Sequence, residues 1–251
     1  MARSLQGQTA LITGGAKRIG RETALALAAE GVSVIVHYNR SSDEAEALAA
    51  DLREFDVQAW TVQADFAVVK EYESLFERAL ELSGGIDILI NNASIFPAEK
   101  LQDMTWQSLQ SNIEINTWVP FVLSREFARR TDHGTIVNLH DSRLKGYDWN
   151  HTGYILSKHL LAVLTRMMAL DFAPNITVNA VAPGLILPPP GKDISYIEAL
   201  KDTVPLKKHG NPQDIADAIV YLVKSDYITG EVIYVDGGRH LQEYLGGQNP
   251  H

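Results

Sequence analysis

The rhythm of the chain is its strongest constraint: short β-branched runs recur, each followed by an amphipathic helical segment. "TALIT" (9–13) leads into a helix through "IGRETALALAAEG", which Gly31 stops. "VSVIVHY" (32–38) leads into a helix over Asp43–Phe55, and "QAWTVQAD" (58–65) into one over Glu71–Leu82. "IDILINNA" (86–93) precedes a long helical region from about Thr105 to Arg130. "GTIVNLH" (134–140) precedes a helix that carries Tyr154 and runs to about Phe172; "ITVNAVAPG" (176–184) and "GEVIYVDGG" (230–238) close the series. Parallel neighbours need crossovers of a dozen residues or more, usually helical. The expected fold is therefore α/β: a single-domain Rossmann-type doubly wound parallel sheet of about seven strands, with helices on both faces.

No repeat, low-complexity segment or domain boundary interrupts residues 1–251, so one domain is expected. The exception to the rhythm is "LILPPPGKDISYIEALKDTVPLKKHGNP" (185–212). Its proline run cannot be helix, whereas Ser195–Lys201 can. An insertion after the sixth strand lies at a carboxyl edge of the sheet, where a substrate cover would sit; a plain surface excursion is the alternative.

Composition excludes several classes. A net charge of −9 argues against a nucleic acid or an anionic membrane surface as partner. No apolar run approaches a membrane span and no signal-peptide core precedes the first strand, so a cytoplasmic location is expected. With zero cysteines there is no disulfide and no thiolate chemistry. His37, His133, His140, His151 and His159 show no paired ligand spacing, so no metal is expected; all but His37 read as surface or loop histidines.

"TGGAKRIG" (13–20) joins the first strand to the first helix. Glycines there let the backbone approach a pyrophosphate, and the N–H groups of a helix start favour its charge. Gly14, Gly15 and Gly20 do not follow G-x-G-x-x-G, so a tight turn without ligand stays open on this loop alone. The second strand ends "HYNRSS", with no carboxylate before Asp43 to receive ribose hydroxyls as NAD binders do. Arg40 and Ser41, with His37 nearby and Lys17 and Arg18 across the loop, suit a 2′-phosphate instead, which points to NADP.

Tyr154 and Lys158 lie one helical turn apart, on one face. A nearby lysine can lower a phenol's pKa and make it a usable proton carrier. Asp141 stands 13 residues before Tyr154, where a loop or N-cap aspartate would be the ordinary reading.

Taken together, "TGGAKRIG", "NNAS" (91–94), Asn116 in "INTWVPF", "YILSK" (154–158) and "APG" (182–184) resemble the short-chain dehydrogenase/reductase family over nearly the whole chain. The resemblance implies Tyr154 as proton donor, Lys158 as its electrostatic partner and ribose anchor, and Asn116 in a proton relay, with Asp141 joining them as a catalytic residue. It places NADP(H) against Gly14, Lys17, Arg18 and Ile19. The adenosine end would meet His37, Tyr38, Asn39, Arg40 and Ser41, with Asp65 and Phe66 near adenine. Asn92, Ala93 and Ser94 would border the ribose and nicotinamide together with Tyr154 and Lys158, and Pro183, Gly184 and Leu185 would face the nicotinamide.

Three departures narrow the resemblance. Arg18 stands where a glycine is usual, Ser94 where "NNAG" has Gly, and Asp141 where the family has its catalytic serine. With "HYNRSSDEAEAL" and Phe96, these features look like the pteridine reductases, a branch that includes trypanosomatid pteridine reductases and bacterial dihydromonapterin reductases. That branch implies a pterin held by Arg18, Ser94, Phe96, Asp141 and Tyr154, sandwiched between Phe96 and the nicotinamide, in a homotetramer or homodimer. The expectation is reduction of a dihydropterin C=N bond. The alternatives are a short-chain carbonyl reductase and a non-catalytic NADP-binding sensor. Apolar positions near Trp118, Phe121, Leu160 and Leu164 suit either a subunit interface or a core.

Overall fold

The computed structural model describes residues 3–146, 148–189 and 191–242. All seven expected strands are present: β1 (Thr9–Ile12), β2 (Ser33–Tyr38), β3 (Ala59–Gln63), β4 (Ile88–Asn91), β5 (Gly134–Leu139), β6 (Ile176–Pro183) and β7 (Val232–Val235). They pair in the order β3-β2-β1-β4-β5-β6-β7, each neighbour parallel to the next. Alternation along each strand splits the core in two. Ala10, Ile12, Val34, Val36, Ile88 and Ile90 face one side, while Leu11, Ile35, Leu89 and Ile136 face the other.

Helices α1 (Arg18–Ala29), α2 (Ser42–Arg53) and α8 (Pro212–Lys224) cover the first face. Helices α3 (Val69–Ser83), α5 (Val119–Arg130) and α6 (Thr152–Asp171) cover the second. Local signals set several ends: α3 stops at Gly84 with φ of 76°, and α8 opens on an Asn211–Asp214 capping box with Pro212 in its first turn. The helical region expected over 105–130 is not uniform. Helix α4 (Trp106–Ile113) passes through a π-helical turn, Glu114–Trp118, before α5 begins. The expected helix in the 185–212 segment is α7 (Ile194–Leu200), extended by a short 3-10 turn; residue 190 of that segment lies outside the described residues. A last short helix, α9 (Arg239–Gln242), packs on the turn at Ser142–Lys145. Among the described residues, no helix is long and apolar enough to cross a membrane.

The strand order reverses between β1 and β4, which places a crevice at the carboxyl ends of these two strands. Packing at the opposite end leaves no slack. A Cβ on Gly134 would fall 2.4 Å from the Phe127 ring and 2.7 Å from the Asp87 carbonyl. Gly134→Ala should therefore destabilise the fold by about 1–3 kcal/mol. Thermal denaturation should register it as a drop of about 2–4 °C per kcal/mol; an unchanged Tm would mean that this end of the sheet relaxes freely.

Candidate active site

The crevice between β1 and β4 is built by Thr13 and Asn92. Thr13 Oγ1 accepts the N–H groups of Asn92 (2.9 Å) and Ala93 (3.0 Å), and Asn92 Nδ2 donates to the carbonyls of Thr13 (2.8 Å) and Gly14 (3.0 Å). A Cβ on Gly20 would meet the Gly14 carbonyl at 2.4 Å, so the turn closes only with glycine there. Lys17 stands at the N-cap of α1 with extended backbone and no side-chain cap on the helix N–H groups, and no acidic residue lies in the first turn. An uncapped helix start of this kind suits a pyrophosphate. Arg18 adopts φ of 55°, a left-handed conformation that costs an L-residue about 1–2 kcal/mol. Its Nη2 donates to the Pro188 carbonyl at 2.8 Å, tying the glycine loop to the 185–212 segment.

His37 corrects one expectation. It is buried on the Ile35 face of the sheet, stacked on Phe66 at 4.5 Å. Its Nδ1 accepts the Gly14 N–H (3.0 Å), its Nε2 bonds to the Ala64 carbonyl (3.1 Å), and its own carbonyl accepts the Gly15 N–H (2.9 Å). Burial pushes the ring's pKa down to about 4, so it is neutral and props up the loop instead of meeting a phosphate. The positions that suit a 2′-phosphate are Arg40, exposed after Tyr38 and Asn39, and Ser41, whose hydroxyl does not cap α2. Lys17 pairs with Glu44 at 2.5 Å across the same gap. Asp65 lies at the end of the β3 edge, where its Oδ1 accepts the Ala67 N–H (2.9 Å). On the other flank, a Cβ on Gly184 would sit 2.5 Å from Asp236 Cα, so the chain after Pro183 passes close under β7; Leu185 is buried there. Ser94 is exposed beside the crevice. This donor set and glycine cradle fit a dinucleotide.

The structure brings the reactive side chains together on the same edge. Tyr154 donates its hydroxyl hydrogen to Asp141 Oδ2 at 3.0 Å, while Asp141 Oδ1 accepts the Arg143 N–H at 2.8 Å. One oxygen serves as a turn cap and the other serves the phenol. Burial and then the Asp141 charge raise the Tyr154 pKa well above 10, which corrects the expectation that Lys158 lowers it; the phenol is held protonated, as a donor must be. Lys158 is 2 % exposed, donates to the Leu139 carbonyl at 2.7 Å, and lies 5.6 Å from the Tyr154 ring centre. Burial lowers its pKa to about 8, partly offset by Asp141.

Asn116 sits in the π-helical turn, where its side chain is fully committed: Oδ1 accepts the Ile95 N–H (2.8 Å), and Nδ2 donates to the Ile95 carbonyl and to Ser157 Oγ (both 3.1 Å). Its amide thus supports the loop that carries Phe96. Phe96 lies edge-on to Tyr154 at 4.6 Å.

Two histidines read from sequence as surface or loop residues have structural partners. His140 is buried; its Nε2 bonds Thr165 Oγ1, and burial followed by the Lys158 charge lowers its pKa to about 3. His151 stacks on Phe96, and sequence reasoning missed it together with Arg143 and Asp148. Asp148 bonds both Arg143 and His151; burial alone would raise its pKa, but the His151 hydrogen bond and the Arg143 charge bring it down to about 2. Their only signal was membership of the stretch between Asp141 and Tyr154. Among the described residues, no group of three or more His, Asp or Glu side chains is placed to hold a metal ion.

A parallel sheet with a glycine turn at its switch point and a Tyr–Lys pair on the same edge defines a nicotinamide-dependent oxidoreductase. The family profile described as Enoyl-(Acyl carrier protein) reductase matches residues 14–240. The chain belongs to the short-chain dehydrogenase/reductase family. It is 33% identical over 246 residues to the granaticin polyketide synthase putative ketoacyl reductase 2 of Streptomyces violaceoruber (94% of this chain, 97% of the relative). It is 34% identical over 246 residues to a 3-oxoacyl-(acyl-carrier-protein) reductase of Staphylococcus epidermidis (93% and 99%). Its fold matches the crystal structure of FolM alternative dihydrofolate reductase 1 from Brucella canis complexed with NADP, at a TM-score of 0.89 and 31% identity, covering 99% and 98% of the two chains. The chain is an NADP(H)-dependent reductase of this family.

The buried histidines set an acid limit. His37 and His140 stay neutral in the fold down to about 4 and about 3, whereas the unfolded chain protonates them below their usual 6.5. Their contribution is complete above pH 6.5 and is lost as pH falls through that window, at about 1.4 kcal/mol per pH unit for each histidine. His140→Gln should lower stability at pH 7.5 yet flatten the loss between pH 6.5 and 5 in denaturant titrations; an unchanged slope would contradict a neutral buried His140.

Proposed function

We propose that this enzyme reduces a dihydropterin to its tetrahydro form with NADPH. The observation that carries the reading is the Tyr154 hydroxyl bonded to a carboxylate, Asp141, at 3.0 Å. Reducing a ketone develops charge on oxygen, which a neutral serine can steady. Reducing C=N adds hydride to carbon and a proton to nitrogen, so a proton supply is what the residues must provide.

NADPH, when bound, supplies the hydride; Lys17, Arg18, Ile19, Arg40, Ser41, Asn92 and Lys158 are the residues that would hold it. Tyr154, held protonated, passes its proton to the substrate nitrogen. Asp141, on the same hydrogen bond, returns a proton taken from solvent, and the Lys158 charge steadies the phenolate in between. Phe96 offers an aromatic face to a flat, polar ring. Arg18 and Ser94 reach the ring's polar edge, and the 185–212 segment, tied to Arg18 through Pro188, covers it. The exposed stripe Leu156, Leu160, Val163, Met167 and Leu170 on α6 supports assembly as a homotetramer or homodimer.

The second reading is a carbonyl reductase. The names of the sequence relatives, ketoacyl and oxoacyl reductases, weigh toward it, more heavily than the Brucella dihydrofolate reductase weighs toward pterins. Asp141 is what keeps the pterin reading in front. An NADPH oxidation assay across dihydrobiopterin, dihydromonapterin, dihydrofolate and a ketone panel separates the two. Turnover on ketones alone would overturn the pterin reading. Asp141→Asn should cut pterin turnover by about 10²–10⁴-fold while sparing NADPH binding, and full retained activity would remove the proton-supply role.

A further inference from the structure

The irregular stretch from Asn92 to Glu99 is pinned at two points. Asn116 holds both the N–H and the carbonyl of Ile95. Three residues past Phe96, Glu99 forms a parallel bridge with His151: the Glu99 N–H donates to the Asn150 carbonyl (2.7 Å) and the Thr152 N–H to the Glu99 carbonyl (3.1 Å). Between these anchors the Phe96 ring lies flat against the His151 imidazole, with centroids 3.7 Å apart and planes 13° from parallel. Free ring pairs prefer offset or edge-on arrangements at 4.5–7 Å, so near-complete overlap is imposed by the surroundings.

Asp148 imposes it. Its side chain is 10 % exposed. Oδ2 accepts the His151 Nδ1–H at 2.8 Å and also binds Arg143, and Oδ1 accepts the Asn150 N–H at 2.9 Å. A carboxylate only accepts, which fixes the imidazole's hydrogen on Nδ1. His151 is also the N-cap residue of α6, the helix of Tyr154 and Lys158. Side chain and backbone are both anchored, so the imidazole is built to stay in place.

We propose that His151, locked by Asp148, is a positioning residue: it backs Phe96 so that the ring presents one fixed face to a flat ring substrate. The proposal rests on the reading that Phe96 receives the substrate's ring. With one face taken by His151 and the Arg143 guanidinium 5.6 Å from the ring centre, a substrate ring can stack only on the face that His151 leaves. Pre-ordering that face before binding spares the substrate the cost of fixing Phe96. It also favours planar rings over acyclic chains, which gain nothing from a fixed aromatic face.

The test is steady-state kinetics on the intact enzyme with dihydrobiopterin and with an acyclic ketone. His151→Ala should raise the dihydrobiopterin KM about 3- to 10-fold, leaving kcat within about twofold and the KM values of NADPH and the acyclic ketone unchanged. His151→Phe, which restores a ring behind Phe96, should recover most of the loss. An unchanged KM in His151→Ala overturns the proposal. A lowered KM overturns it too, because the imidazole would then occupy the substrate's own place. Equal rises for ring, acyclic ketone and NADPH reduce His151 to a general structural role, which also overturns it. Phe96→Ala separates the underlying reading: an unchanged pterin KM there removes stacking on Phe96 altogether, whereas a raised one with an inert His151→Ala removes only the backing role. If His151→Ala does not fold, Asp148→Ala, which removes the acceptor that holds the imidazole, carries the same criterion. If the wild type reduces no pterin, a planar quinone replaces dihydrobiopterin and the same outcomes apply.

Discussion

Every part of the site depends on the parallel sheet being buried on both faces. Such a sheet has no solvated face on which to display polar groups, so chemistry is confined to the edge where the strands end. There the order reversal between β1 and β4 opens a crevice that helices cannot fill. Thr13 and Asn92 spend their hydrogen bonds holding that crevice open, and the carbonyl of Leu139, at the end of β5, receives Lys158. The sheet is thus both the core and the ruler against which the reactive groups are spaced.

On that edge, burial and the Asp141 charge keep the Tyr154 phenol protonated. Tyr154 is buried beside a carboxylate, which disfavours phenolate, and Lys158 is buried against the Leu139 carbonyl, its pKa brought down by burial to about 8. Asp141 couples the two levels of structure, because the same carboxylate that caps the turn toward Arg143 also receives the phenol. Removing it would disturb the turn and the phenol's hydrogen bond together, so a conservative amide is more informative there than a truncation.

Much of this was legible in the sequence because it followed from periodicity. The strands, the crossovers, the glycine turn and the helix bearing Tyr154 and Lys158 all lie where apolar spacing puts them, and the 13-residue gap from Asp141 to Tyr154 brought a hydrogen bond. What periodicity does not encode was missed. The π-helical turn around Asn116 changes one hydrogen bond per turn and leaves no residue signature. His37 is a polar residue at an inward strand position and His140 a buried one just past the end of β5, and their partners come from distant segments. The grouping of Phe96 with Arg143, Asp148 and His151 joins two loops far apart in sequence, so no local pattern announces it.

The glycine turn has one further implication. Its first two N–H groups, from Gly14 and Gly15, are both consumed by His37, one by the ring and one by the backbone. A nucleotide arriving there meets fewer main-chain dipoles than a glycine-rich turn ordinarily offers, and more of the attraction falls to exposed cationic side chains. Fixed dipoles at contact distance are poorly shielded by dissolved ions, whereas exposed charges are shielded strongly. Nucleotide capture by this enzyme should accordingly weaken with ionic strength more than capture by a relative whose turn keeps its amides free.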